Sequence, residues 1–281
     1  MRSRHVLITG SARGIGYVTA LRLARAGWHV HAGVRRESDA DALDRTHANI
    51  SPTLLDITDP EHVAGLAANL GPLDAFVGNA GVAISGPVEG LPLDRFREQM
   101  EVNLIGQIAV TQQVLPKLRE SGGRIVFVSS LSGRIATPMT GAYNASKFAL
   151  EGMADALRME LRPWGVAVSL VEPAQTSTDM WHQAHETLDA DLAHLSDENR
   201  ALYAGHIDGA REMVALSQRL ATSADGVAKA IEKALTSRRP RARYVVGVGP
   251  KVQAQFTSIT PTPVLDAFLR RMSGVPKHGS S

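Results

Sequence analysis

Tyr143 and Lys147 stand four residues apart in the run AYNASK, with Ser130 upstream in VSSLSG. A phenol with an ordinary pKa of about 10 is a poor acid or base at neutral pH, so a neighbouring cation is needed to favour its ionised form. Spacing i,i+4 puts both side chains on one helix face. With the glycine-rich run TGSARGIG opening the chain, the set predicts a proton-relaying centre beside a bound nucleotide, the chemistry of hydride transfer.

Gly10, Gly14 and Gly16, with Ile15 between the last two, fall between a predicted strand and a predicted helix. Glycine there lets the backbone turn sharply and approach a pyrophosphate held at the helix N-terminus. The spacing is G-x-x-x-G-x-G, and a plain strand-to-helix turn is the competing reading. An acidic residue at the end of the second strand would bond the adenosine ribose of NAD, but here the strand runs into Arg35 and Arg36. Arginine suits a 2'-phosphate, and Arg13 adds a further cation. NADP(H) is therefore the preferred cofactor and NAD(H) the other candidate. A solvated basic loop balanced by Glu37, Asp39 and Asp41 is the bland alternative.

The elements that must position these groups alternate. Strands are predicted at 5–9, 29–34, 52–55, 74–78, 124–130, 166–172 and 244–248, and helices at 14–27, 60–70, 92–120, 141–164 and 224–237. Such alternation implies a doubly wound parallel α/β sheet in a single Rossmann-type domain over residues 1–281. Two stretches break the rhythm: 174–222, read as a helical substrate lid, and 250–281, a proline-bearing C-terminal extension.

Composition bounds the rest. The 281 residues are 44% hydrophobic, enough for one full core, and 30 basic against 28 acidic residues give no field for nucleic acid or a membrane surface. There is no cysteine, so no disulfide or thiolate chemistry. The first strand begins by His5, which is read as leaving no room for a signal peptide, and no apolar run approaches the ~20 residues of a membrane span. A cytoplasmic location is expected. His182, His185, His194 and His206 lack a recognisable ligand pattern, so no metal is expected. The run RRPRAR at 238–243 reads as a basic loop.

TGxxxGxG, the NAG turn Asn79-Ala80-Gly81, Asn103 in EVNLIG, Ser130 and YxxxK together resemble the classical short-chain dehydrogenase/reductase family, over nearly the whole chain and in the family's order. The resemblance implies roles. Ser130, preferred to Ser129 on spacing, would orient a substrate oxygen, and Tyr143 would exchange a proton with it. Lys147 would lower the phenol pKa and hold the nicotinamide ribose, and Asn103 would anchor a water leading to solvent. Asp56 matches the acidic residue at the adenine amino group, although a turn or cap role competes. Asn79 matches the asparagine steadying the sheet. Pro173 and Thr178, with Thr176 as the alternative, match the nicotinamide edge. Gly78 and Ala174 depart from the usual NNAG and PG. The family also implies a homo-dimer or homo-tetramer packed through two long helices.

AGVRR and the long tail look like the hydroxysteroid and retinol dehydrogenase-type members, so a hydrophobic secondary alcohol or ketone is the expected substrate. A 3-oxoacyl thioester reductase is the runner-up, and a non-catalytic cofactor-sensing protein the rival from another class. Lid residues Met180, Trp181, Leu188, Leu192, Leu195, Tyr203, Ile207, Met213 and Leu216 could line an apolar pocket or form core. Arg134 is the nearby cation that could instead hold a charged substrate.

Overall fold

A computed structural model describes residues 3–177, 184–247 and 260–276. Seven strands form one parallel sheet: β1 (Arg4–Ile8), β2 (Trp28–Val34), β3 (Ile50–Leu54), β4 (Ala75–Gly78), β5 (Arg124–Val128), β6 (Ala167–Pro173) and β9 (Arg243–Val246). Their spatial order is β3-β2-β1-β4-β5-β6-β9, every pairing parallel. The order reverses between β1 and β4, and in such sheets ligands bind outside the carboxyl ends of the strands at that point.

Both faces are covered, which is why the strands read as near-continuous apolar runs. On one face Val6, Ile8, Val30 and Val126 pack with Leu23 and Ala24 of α1 (Gly14–Arg25) and Ile231 of α10 (Ala224–Thr236). On the other, Leu7, Phe76, Ile125 and Leu170 meet α3 (Pro60–Asn69), α5 (Gly106–Ser121) and α6 (Gly141–Glu160). The helical spacing of Ala20, Leu23 and Ala24 is what turns α1 towards the sheet.

Three sequence expectations change. The helix expected over 92–120 is α4 (Leu93–Met100), a π-helical turn at Glu101–Ile105, and α5. The run after Arg36, weighed as a solvated loop, forms α2 (Glu37–Asp44), with Glu37 and Asp39 at its positive N-terminal end. The last strand stops at Val246, because Gly247 turns to φ 102°; Val248 lies outside the described residues.

Stretch 174–222 holds β7 (Thr176–Ser177), α7 (Ala184–Leu192), α8 (Asp197–Leu202) and α9 (Ala204–Leu220), and β7 pairs with β8 (Thr222–Ser223). The tail forms α11 (Thr262–Met272). It seats on α9 so closely that a Cβ on Gly209 would lie 2.2 Å from the carbonyl oxygen of Ser273. The basic run before β9 is not loose at its end, since Arg243 donates to Glu151 at 3.0 Å and Asp155 at 2.6 Å. Among the described residues no helix is long and apolar enough to cross a membrane.

Candidate active site

The glycine turn is held by contact rather than by choice of turn type alone. A Cβ on Gly10, at φ 66°, would lie 2.9 Å from Cα of Ala80, and one on Gly16 would lie 2.1 Å from the oxygen of Gly10. Gly14 also takes positive φ, at 59°. Ile15 packs against the core below the turn. α1 starts at Arg13 with no side-chain cap and no acidic residue in its first turn, whereas Asp59, Ser196 and Ser223 cap α3, α8 and α10. Leading N–H groups without a side-chain acceptor suit a pyrophosphate, so the turn fits a dinucleotide.

The neighbouring strand end is fastened to this turn. Oγ1 of Thr9 accepts from the N–H groups of Asn79 and Ala80, both at 3.0 Å, and the Asn79 amide donates back to the oxygens of Thr9 and Gly10. Sequence reasoning passed over Thr9, a hydroxyl at the end of β1 that is wholly buried. Gly78, the departure from NNAG, leaves no room for a side chain: a Cβ there would stand 2.7 Å from both the Phe127 ring and Oε1 of Gln107. Gln107 in turn donates to the oxygen of Ala80 at 2.6 Å. Ala174, the other departure, needs no glycine, because Met139 is the non-glycine residue with positive φ among those described. Pro173 ends β6, and Thr176, buried, donates to the oxygen of Ala174.

β5 delivers Ser130 just beyond its end, and α6 delivers Tyr143 and Lys147 from its first two turns. The Ser130 hydroxyl lies beside the Tyr143 phenol, where it favours the ionised form, and accepts from the N–H of Ser132 at 3.1 Å, whereas Ser129 is buried with its hydroxyl unpartnered. Burial pushes the Tyr143 phenol above its ordinary value, and the neighbouring Ser130 hydroxyl opposes the rise. Lys147 is buried, and that pulls its ammonium down to about 8 against the nearby Glu151 carboxylate. The ammonium is not aimed at the phenol here: it donates to the oxygen of Val128 at 3.0 Å and sits 5.8 Å from the Tyr143 ring centroid. The expected lowering of the phenol pKa by Lys147 is therefore absent from this arrangement.

Asn103 lies in the π-helical turn, buried beneath Gly81. Its amide donates to the oxygen of Val82 at 3.0 Å and to Ser146 at 3.1 Å, and its Oδ1 accepts from the N–H of Val82 at 2.9 Å. Both N–H donors are thus committed to joining the turn, the segment after β4 and α6, and neither is free to hold a water.

One of the cations after β2 is paired with a carboxylate. Arg36 binds Asp39 through two bonds of 2.8 and 2.9 Å. This pairing first, with Arg13 and Arg35 adding their fields, holds Asp39 below the usual carboxylate range. Arg13 and Arg35 are exposed. Asp56 accepts from the N–H and hydroxyl of Thr58 at 2.9 and 2.7 Å, the turn arrangement weighed from the sequence. Although burial opposes it, those bonds, Arg35 and His62 keep its carboxyl low.

On the substrate side, Arg134 is not available as an anion receptor, because its guanidinium is paired with buried Glu172. Leu188, Leu192, Leu195 and Ile207 of the lid are buried against one another and Met139, so they are core rather than pocket lining. Asp191 ties the lid down, accepting from the N–H of Ser85 and from Arg95, each at 2.8 Å. Thr178, Met180, Trp181 and His182 lie outside the described residues. A cavity of about 620 Å³ opens between Ala136–Pro138 and one side of α11; its lining omits Ser130, Tyr143 and Lys147.

A parallel sheet of this order, a glycine turn leading into an uncapped helix, and Ser130, Tyr143 and Lys147 gathered at the strand ends define a nicotinamide-dependent oxidoreductase acting on CH–OH groups. The pattern of the short chain dehydrogenase family matches residues 4–189, and the chain belongs to that family. It is 37% identical to retinol dehydrogenase 5 of Mus musculus over 277 residues, covering 94% of this chain and 87% of the relative. A short-chain dehydrogenase from Streptomyces avermitilis has the same fold, with TM-score 0.80, 26% identity and coverage of 98% and 99% of the two chains. The fold also matches a Burkholderia cenocepacia short chain dehydrogenase in complex with NADP, with TM-score 0.75, 24% identity and coverage of 95% and 98%. It matches likewise a Burkholderia phymatum short chain dehydrogenase/reductase in complex with NAD, with TM-score 0.75, 22% identity and coverage of 90% and 92%.

Proposed function

We propose that the protein moves hydride between NADP(H) and a hydrophobic secondary alcohol or ketone. The observation that carries this reading is the gathering of Ser130 and the Tyr143 phenol beside the buried Lys147. When bound, the dinucleotide supplies or accepts the hydride. Ser130 holds the substrate oxygen by a hydrogen bond. Tyr143 passes its proton to that oxygen during reduction, or takes it during oxidation, so that no free alkoxide forms. Lys147 keeps a positive charge in the same helical turn at neutral pH and binds the nicotinamide ribose, with Pro173, Thr176 and Thr178 at the nicotinamide edge.

NADP is favoured over NAD because Arg35 and Arg36 follow β2 where the acidic residue of a NAD site is missing, and Arg13 stands exposed in the glycine turn. An uncharged substrate is favoured because Arg134 is already committed to Glu172. Burying a charged substrate group without a partner is costly, whereas apolar area gains roughly 25 cal/mol per Å². The kinship with a retinol dehydrogenase supports the same class. Half-exposed Ile105 and Phe148, on the π-helical turn and α6, support association of copies through these helices.

A panel of lipophilic ketones and small keto acids, each with NADPH and NADH and read by nicotinamide absorbance, tests the proposal. Lipophilic ketones with NADPH are expected to give the highest kcat/KM. Faster reduction of small anionic keto acids would overturn the substrate class, and a preference for NADH would overturn the cofactor assignment.

A further inference from the structure

His5, His29 and His31 come together on the sheet face opposite α1, far from the catalytic groups. The register of β1 on β2 sets His5 against His29 and Leu7 against His31. Since alternate strand residues share a face, the three imidazoles gather on one side of two hydrogen-bonded strands. Their ring centroids are 4.9, 5.0 and 5.5 Å apart, and one ring nitrogen of each lies within 4.8 Å of the others. Nδ1 of His5 and Nε2 of His31 stand 3.3 Å apart. All three rings are part-exposed, so an ion can reach them.

We propose that His5, His29 and His31 form a binding site for a divalent cation of the zinc type. At Zn–N distances of about 2.0–2.1 Å, two nitrogens of a tetrahedral ion are roughly 3.4 Å apart, which the His5–His31 pair already meets. The third nitrogen needs only ring rotation, because the strands fix the backbone. The Ser51 hydroxyl is 3.1 Å from Nε2 of His29 and steadies that ring, while the Asp74 carboxylate accepts from the backbone N–H of His5 at 2.8 Å and fixes the start of β1. Three protein ligands leave a fourth position for water. Imidazole donors select zinc, nickel or copper over magnesium or calcium. Roughly 16 Å of extended chain separates His5 from Gly10, so the ion would clamp β1 to β2 without taking part in turnover.

The competing arrangement is a metal-free stack of hydrogen-bonded imidazoles, and metal titration separates the two. Full-length protein is stripped with EDTA, dialysed, and titrated with ZnCl2 by calorimetry and thermal unfolding. One zinc per chain is expected, with Tm raised by about 5 °C at a hundredfold excess over Kd, and no rise with MgCl2. His29→Gln and His31→Gln should each weaken zinc binding at least tenfold with kcat unchanged. Should a variant fail to fold, Co2+ bound to the wild type provides the second reading: a tetrahedral ligand-field spectrum displaced by one equivalent of zinc supports the site. Absence of stoichiometric zinc binding, an octahedral cobalt spectrum, or equal zinc affinity in folded His29→Gln and His31→Gln proteins each overturns the proposal.

Discussion

Arg134 and Glu172 lock the loop behind Ser130 to the end of β6: Nη2 of the arginine donates to Oε1 of the glutamate, and Nε stands 2.8 Å from Oε2. Glu172 is wholly buried, and burial, reinforced by Glu151, raises its carboxyl to about 7 against the pull of Arg134 and Arg243. Removing the guanidinium leaves a buried acid with Arg243 as its remaining ion-pair partner, at 3.3 Å. Arg134→Met should cost about 3 kcal/mol, read as a fall in Tm of roughly 6–12 °C. KM for small keto acids should stay as it was. A Tm within error of the wild type would show that the pair contributes nothing net.

Tyr143→Phe keeps the ring and removes the transferable proton. Turnover should drop by roughly 10²–10⁴-fold while the NADPH dissociation constant, measured by fluorescence titration, changes little. Lys147→Met should lose turnover and also weaken NADPH binding. Because burial brings the Lys147 ammonium to about 8, kcat/KM for ketone reduction in the wild type should decline as pH rises through that value. A profile flat from pH 7 to 9 would remove the charged lysine from the mechanism.

Cofactor choice should respond in opposite directions at two neighbouring positions. Arg35→Ala loses a cation–phosphate contact of about 1.5–3 kcal/mol, so the NADPH-over-NADH preference should fall by roughly one to two powers of ten. Asp39→Asn releases Arg36 from its carboxylate partner and should raise the same preference. Parallel changes in both cofactor constants would mean that these residues do not face the 2'-phosphate.

Restoring the family's asparagine at the glycine before Asn79 should harm the protein. The space a Cβ would enter is filled by Phe127 and Gln107, and overpacking costs about 1–3 kcal/mol. Gly78→Asn is therefore expected to lower the chemical-denaturation midpoint, and an unchanged midpoint would show that the ring can move aside.

In metal-free buffer the histidine trio should make the fold acid-sensitive. Burial first, then His29 and His5, depress His31 from 6.5 to about 4. The unfolded chain takes up this proton before the folded one, so the stability is present above pH 6.5 and is lost as pH falls towards 4. Glu172 works the other way: its raised carboxyl binds a proton more readily in the folded state, so acidification from pH 7 towards 4.5 favours folding there. Comparing wild type with His31→Gln isolates the first effect; equal loss of Tm between pH 7 and 4.5 in both would exclude it.

The alternation of strands and helices was legible because both sheet faces are buried, which leaves apolar runs separated by amphipathic helices. Gly10, Gly16, Ser130, Tyr143 and Lys147 were legible because turn sterics and i,i+4 geometry act within a few residues. What the sequence hid is set by distant partners. The π-helical turn holds Asn103, whose partners Val82 and Ser146 are 21 and 43 residues away. Arg134 reads as a free cation until β6 brings Glu172 beside it. Leu188 and Ile207 are apolar whether they line a pocket or fill a core, and composition cannot separate the two. The three histidines are invisible as a group until β1 pairs with β2, since 24 positions divide His5 from His29.

The seam between Gly209 and Ser273 has room for no side-chain atom. Lid and tail are consequently fitted to each other: α9 carries the seat, and the turn after α11 is cut to it. A chimera that imported a relative's segment 174–222 and kept its own last residues would bring a foreign seat to an old key. Recombination aimed at new substrates should therefore transplant both segments together, despite α10 and β9 lying between them.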